Sequence, residues 1–470
     1  MLNDANPVFN YDSNRLSLLK NFKGIVSIPS DVNAYDVKRW APRAVKQATY
    51  VVYPTDAADI SAAIIFAREA GLPLAISGGR HDPDGASSTE GVVIDMRNMN
   101  AVRVDKGNKV GYFQGGTTLG QAVEELFKYG MATVTGHCGT VGLVGLTCGG
   151  GLGFKMGQYG LACDNIASAT VVLASGEIVI ANEQENSDLL WGIKGGGSNF
   201  GVIAELGMKL HEARPDVHTN TYVYLPEKMP ELVAELSEWM TVQTPQEYAQ
   251  LTFNVGPDGK PYLTIYCIGD VNAEDGERLW SRFQKLGPIS NNPEQVPYDM
   301  YTRPADNFTV LSSNKIHHGA HFNVFDHEMV KKSYDMWLAV IPYASMSVVI
   351  YEFFHYDLAS TVPEEATAFS QRTTNKIAFI SICGFEDAWM AEAPKACKEI
   401  QACISSSSTE SARNSIGYLN YASIDASEND TDEKARKAFG SNYPRLQQLK
   451  RKYDPDMVFN KWFCIRPADV

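Results

Sequence analysis

From Gly136 to Gly153 the chain reads GlyHisCysGlyThrValGlyLeuValGlyLeuThrCysGlyGlyGlyLeuGly, eight glycines in eighteen residues. Glycine in a helix interior costs roughly 1 kcal/mol relative to alanine, and in a strand it leaves nothing to pack. The stretch 136–160 is therefore too irregular for either period. Glycine instead gives positive φ and close backbone approach to a ligand, and successive amide N–H groups in such loops form anion-binding concavities. Two further stretches share the texture: SerGlyGlyArgHis at 77–81 and GlyIleLysGlyGlyGlySerAsnPheGly at 192–201. One such loop reads as a tight turn. Three within 125 residues point to a large diphosphate-bearing cofactor. The dinucleotide fingerprint is missing, because GlyGlyGlyLeuGly follows no clean strand and no acidic residue stands about 20 positions on. The P-loop pattern is absent too.

The flanking segments alternate strand and helix. Residues 48–53, 72–77 and 92–96 read as strands, and 56–70 and 117–130 as helices, with Gly71 as a C-terminal cap. A hairpin is expected over 169–181 around Ser175-Gly176, and a half-buried strand over 200–210. Near residue 211 the glycine motifs stop. ProAspGly between 251–255 and 262–267 marks another hairpin, a helix follows at 273–286, and 348–354 and 376–382 are strands. A sheet with helices on one side, hence an α+β fold, follows. The serine run 405–408 is expected in a surface loop, and 433–459 as one charged helix ending at AspPro.

Lys and Arg total 41 against 55 Asp and Glu, a net charge of −14. That argues against a nucleic-acid partner and against adhesion to anionic membrane. No apolar run is long enough to span a membrane, and the first twenty residues lack the pattern of a signal peptide. The eight cysteines form no CxxC and no zinc-like cluster, so no metal site is expected and a cytoplasmic, reduced protein is.

The motifs resemble the vanillyl-alcohol-oxidase superfamily and, within it, the berberine-bridge-enzyme-like flavoproteins. GlyGlyArgHisAspProAspGly and GlyHisCysGlyThrValGly match the family's two flavin-attachment segments. TyrGlyLeuAlaCysAspAsnIle (159–166) resembles its adenine-side segment, and TrpGlyIleLysGlyGlyGlySerAsnPheGly (191–201) its second phosphate loop. TyrLeuAsnTyr (418–421) and residues 439–456 resemble its C-terminal segment. The pattern departs at Met457, where Asn is usual, and at Phe463, where Gln is common.

The resemblance implies a two-part FAD-binding domain, 1–210 with 421–470, and an inserted α+β substrate domain, 211–420, roofing the flavin. It implies FAD held bicovalently, 8α-histidyl through His81 and 6-S-cysteinyl through Cys138. Cofactor contacts are expected from Ser77, Gly78, Gly79, Arg80, Gly136, Gly142, Leu143, Gly145, Gly149, Gly150, Gly153, Asp164, Asn165, Gly197, Phe200, Gly201 and Val202. The catalytic base is expected at Tyr418 or Tyr421, with Glu364 ranked below them. Tyr351, Phe353 and His355, with His317, His318 and His321, are candidates to face the flavin ring. The implied reaction is oxidation of a small organic molecule, a specialised metabolite, by hydride transfer to FAD. Oxygen or another electron acceptor then takes the electrons, and Leu143, beside the oxygen route, disfavours oxygen. Two alternatives stay open: an oligosaccharide or alcohol oxidase, and a flavoprotein cyclase with no net redox change.

Overall fold

The computed structural model describes residues 22–29, 37–306, 313–384, 389–406, 408–410, 413, 416–422 and 431–469. The N-terminal twenty residues, read above for a signal peptide, and Ser407 of the serine run lie outside them.

The first sheet has β1 (Ile25–Ser27), β2 (Tyr50–Tyr53), β3 (Leu74–Ser77) and β4 (Val92–Asp95) in the order β1-β2-β4-β3. Helix α1 (Ala57–Glu69) joins β2 to β3. Asp56 caps it by accepting from the Asp59 N–H at 2.9 Å, and Gly71, at φ +64°, supplies the left-handed exit. In chain order there follow β5 (Val102–Asp105), β6 (Val110–Gln114), β7 (Met131–Ala132), β8 (Ile166–Val172), β9 (Ile178–Ala181), β10 (Val202–Lys209) and β11 (His211–Glu212). Five of these make an antiparallel sheet, β5-β6-β10-β8-β9, while β7 and β11 pair as a ribbon. Helix α2 (Leu119–Phe127) begins with a capping box of Thr118 and Gln121. The glycine-dense stretch read as irregular contains two short helices, α3 (Leu143–Cys148) and α4 (Met156–Tyr159), and α5 (Ser187–Gly196) precedes β10.

The third sheet comprises β12 (Asp216–Tyr224), β13 (Glu247–Val255), β14 (Pro261–Gly269), β15 (Ser290–Pro297), β16 (Asn314–Phe322), β17 (Val348–Phe353) and β18 (Lys376–Gly384). Its order is β15-β12-β14-β13-β17-β18-β16, antiparallel throughout. Helices α6 (Met229–Met240), α7 (Ala273–Gln284), α8 (Arg303–Asp306), α9 (His327–Val340), α10 (Asp357–Thr361) and α11 (Ala393–Ser405) belong to this stretch. Four of them, α6, α7, α9 and α11, contribute to an apolar cluster with one sheet face, around Leu251, Phe253, Tyr351 and Phe353. The other face is half-buried and more polar, carrying Gln250, Thr252, Thr264 and Tyr266. This is the mixed α+β arrangement expected, with helices on one side.

Two expectations need correction. The terminal charged stretch is two helices, α12 (Thr431–Phe439) and α13 (Tyr443–Tyr453), because Gly440 takes φ +50° between them. Ser408, expected on the surface, is buried and donates to the His321 carbonyl at 2.5 Å. No helix among the described residues is long and apolar enough to cross a membrane.

Candidate active site

Ser77 ends β3 with its hydroxyl 3.3 Å from Asp95 Oδ2, and the chain turns through Gly78, Gly79 and Arg80, the last at φ +64°, to His81. A Cβ on Gly79 would stand 2.0 Å from the Gly142 nitrogen, and one on Gly142 would stand 2.5 Å from the Gly79 nitrogen. These two glycines let the His81 loop lie against the loop carrying Cys138. One hydroxyl then spans the pair: Thr140 Oγ1 is 3.0 Å from His81 Nε2 and 3.3 Å from Cys138 Sγ. Trp40 stacks on the His81 ring at 5.1 Å. Lys315 Nζ lies 4.7 Å from the Trp40 ring and donates to the Trp40 carbonyl. Burial, helped by the charges of Arg80 and Lys315, pushes His81 down to about 4, so its imidazole is neutral at pH 7. Burial pushes the Cys138 thiol up, with hydrogen bonding from Thr140 working against it and the Asp306 carboxylate, 3.7 Å away, adding to it.

Rings continue from this pair toward the third sheet. His317 meets Trp40 edge-on at 4.8 Å and Phe379 at 4.6 Å, Phe379 meets Tyr421 at 4.7 Å, and Tyr421 meets Tyr418 at 5.0 Å. The two tyrosines are brought together on one turn but are bonded differently. The Tyr418 oxygen accepts three N–H groups, from Gly151 at 3.1 Å, Leu152 at 3.2 Å and Asn420 Nδ2 at 2.8 Å. The half-buried Tyr421 hydroxyl lies against the Glu352 carboxyl. Glu352 Oε1 accepts from the Tyr248 hydroxyl at 3.1 Å. Burial pushes Glu352 up to about 7, against the pull of those two hydroxyls, and pushes Tyr421 far above its ordinary range with help from the Glu352 charge.

Glu352 was not foreseen. Tyr351, Phe353 and His355, expected at the cleft, point away from it, because side chains alternate along a strand and a register one residue off exchanges the faces. Tyr351 bonds Ser333 at 2.6 Å on the helix side, and Phe353 packs on Phe325 and Trp239. His355, just past the strand, is half-buried with Nε2 3.7 Å from Asp357. The missed signal was the one carboxylate in ValValIleTyrGluPhe. Of the three histidines on β16, His317 lies in the ring series, His321 flanks a cavity beside Tyr418, and His318 turns to Gln401 of α11 at 3.1 Å. Glu364 sits exposed on a surface turn, its carbonyl accepting from Asn442, and the structure does not bring it to the tyrosines.

The remaining expected contacts divide. Gly145 faces open space, and a Cβ on Gly78 would make only ordinary contact. Gly149, Gly150 and Gly153 are required by packing, since a Cβ would strike Asn420, Phe369 and the Thr135 carbonyl at 2.0, 2.5 and 1.8 Å. A Cβ on Gly136, Gly197 or Gly201 would likewise strike Leu146, Trp462 or Val171. Leu143 and Phe200 are core residues, and Val202 opens β10 opposite Val172. Asp164 holds Arg372 through two bonds, and Asn165 bonds Tyr159, Leu161 and His211, so both side chains serve the chain itself.

Known proteins share this architecture. The profile described as FAD binding domain matches residues 48–182, and that described as berberine and berberine like matches 417–462. The FAD-linked oxidoreductase pgmH of Aspergillus terreus is 32% identical, covering 96% of this chain and 95% of its own length. The chain belongs to the berberine-bridge-enzyme-like family of FAD-linked oxidoreductases. Among solved structures of the same fold, 6-hydroxy-D-nicotine oxidase of Arthrobacter nicotinovorans superposes with a TM-score of 0.83 at 23% identity, over 95% of this chain and 98% of that one. Glucooligosaccharide oxidase of Acremonium strictum, described with a 6-S-cysteinyl, 8α-N1-histidyl FAD, gives 0.81 at 20% identity, over 97% and 100%.

As a member of that family the chain is an oxidoreductase that binds FAD, and the residues present fit the cofactor. A neutral imidazole and a thiol stand side by side. Two buried polar atoms near them, Trp40 Nε1 and His317 Nε2, have no hydrogen-bond partner among the described residues, as expected where a polar ligand belongs.

Proposed function

We propose that this protein holds FAD through two covalent bonds, from His81 and Cys138, and oxidises a small organic molecule with Tyr421 as general base. The observation that carries the reading is the Thr140 hydroxyl bridging His81 Nε2 and Cys138 Sγ. It ties the two side chains to one hydroxyl and occupies His81 Nε2, which leaves Nδ1 as the ring nitrogen for the bond. FAD when bound supplies the hydride acceptor.

The chain's own residues hold and move the proton. Tyr421 is the phenol that can touch substrate, and Glu352 behind it can take the phenolic proton as the phenol takes the substrate's. A carboxyl poised near pH 7 suits that exchange. Tyr418, with three donors on its oxygen, instead fixes the Gly151–Leu152 backbone.

The test is mass analysis of tryptic peptides after acid precipitation. Wild type should retain flavin on both the His81 and Cys138 peptides, His81→Ala and Cys138→Ala on one each, and the double variant on neither. Release of all flavin from wild-type protein by acid would overturn the bicovalent reading.

A further inference from the structure

Tyr248 has one hydroxyl hydrogen and two acceptors for it. Its oxygen lies 2.7 Å from Gln250 Oε1 and 3.1 Å from Glu352 Oε1. An ionised carboxylate and an amide carbonyl only accept, so with Glu352 ionised a single hydrogen serves one of them at a time. The sheet builds this competition. Gln250 lies two residues from Tyr248 on the same face of β13, and it pairs directly with Glu352 of β17. Gln250 Nε2 donates to Thr252 Oγ1 at 3.2 Å, which turns Oε1 toward the phenol. Tyr248 and Glu352 are buried, whereas Gln250 is half-buried on the polar face. Gln250 is thus the member of the three that a bound molecule can reach.

We propose that Gln250, acting through Tyr248, sets the ionisation of Glu352 and lets the substrate adjust it. While Gln250 Oε1 holds the Tyr248 hydrogen, the carboxylate lacks that bond. A substrate hydroxyl or amine N–H that donates to Gln250 Oε1 displaces the phenol, whose hydrogen then turns to Glu352. The carboxylate is stabilised as the molecule to be oxidised arrives. Tyr248 and Gln250 are positioning residues here, and the substrate class implied carries a hydrogen-bond donor near the oxidised carbon.

The other groups facing this carboxyl do not duplicate the device. Tyr421 approaches from the 417–422 turn and Tyr356 from the segment after β17. Lys376 of β18 donates to the Phe354 carbonyl and lies 5.0 Å from the Tyr356 ring. Tyr266 of β14 acts on Tyr248 electrostatically, and the neutral ring of His137, 4.4 Å from Tyr248, donates no charge.

The proposal rests on Glu352 backing the base, and the experiment separates the two ideas. The Glu352 carboxyl is titrated in the FAD-loaded enzyme by infrared difference spectroscopy against Glu352→Gln, and the pH profile of anaerobic flavin reduction is measured alongside. Tyr248→Phe should raise the carboxyl midpoint by only part of the roughly one pH unit that a hydrogen bond to a charged group is worth, because Gln250 holds the shared hydrogen much of the time in the resting enzyme. Gln250→Leu, which mimics capture of Oε1 by a ligand, should lower it, and it carries the test alone if Tyr248→Phe does not fold. A midpoint unmoved or raised by Gln250→Leu overturns the proposal. If the midpoints move as expected while the reduction profile stays fixed, the shared hydrogen stands and the role of Glu352 behind the base falls.

Discussion

Tyr418 and Tyr421 lie three residues apart on one turn, and their hydroxyls have opposite surroundings. Three N–H groups converge on the Tyr418 oxygen, whereas the Tyr421 oxygen lies against a carboxyl. Removing each should therefore have different consequences. Tyr421→Phe should slow anaerobic flavin reduction by about 10²–10⁴-fold, the usual worth of a general base, with substrate binding little changed. Tyr418→Phe leaves buried donors without an acceptor and should cost about 1–3 kcal/mol of stability, read as a lower thermal midpoint. Stopped-flow reduction and thermal melts on both variants check the division. Equal slowing with unchanged melting would return Tyr418 to the base.

At the scale of the element, β17 shows what sequence could and could not convey. Its apolar run marked a strand, and the ProAspGly hairpin, the helix that ends at Gly71 and the His81 and Cys138 loops were all legible, because each is signalled by residues close in sequence. The facing of β17 was not, since it depends on helices α6 and α9, which cover Phe353 and Tyr351 from distant parts of the chain. For the same reason the glycines of 149–153 could not be divided between ligand approach and packing before Phe369 and Asn420 were in place. The face assignment predicts a contrast between neighbours. Tyr351→Phe should lose its bonds to Ser333 and the Met329 sulfur, about 1 kcal/mol, with flavin reduction intact. Glu352→Gln should reduce the rate sharply while the melting temperature holds or rises, because a buried carboxylate is removed. The reverse pattern in rates and melts would mean that the faces are exchanged.

Across the whole molecule, buried ionisable groups give stability a pH dependence of defined sign. Burial holds His137 and His321 at about 4, below the roughly 6.5 of an unfolded chain. Their contribution is present above pH 6.5 and is lost as pH falls toward 4, because the unfolded chain takes up the protons first. Glu352, raised to about 7, acts oppositely: its contribution is present at low pH and is lost as pH rises through 7. The thermal midpoint should fall steadily between pH 6.5 and 4, each histidine accounting for on the order of 2 kcal/mol, and His321→Phe should flatten that fall. An acid limb unchanged by the substitution would show that His321 titrates normally. The seven-stranded sheet carries a longer consequence. One face is locked to helices by aromatic packing, so that almost any exchange there is costly, while the other presents threonine, glutamine and tyrosine at half-exposed positions where exchange is cheap. A descendant lineage could change diet by redrawing one side of a page whose reverse it cannot afford to alter.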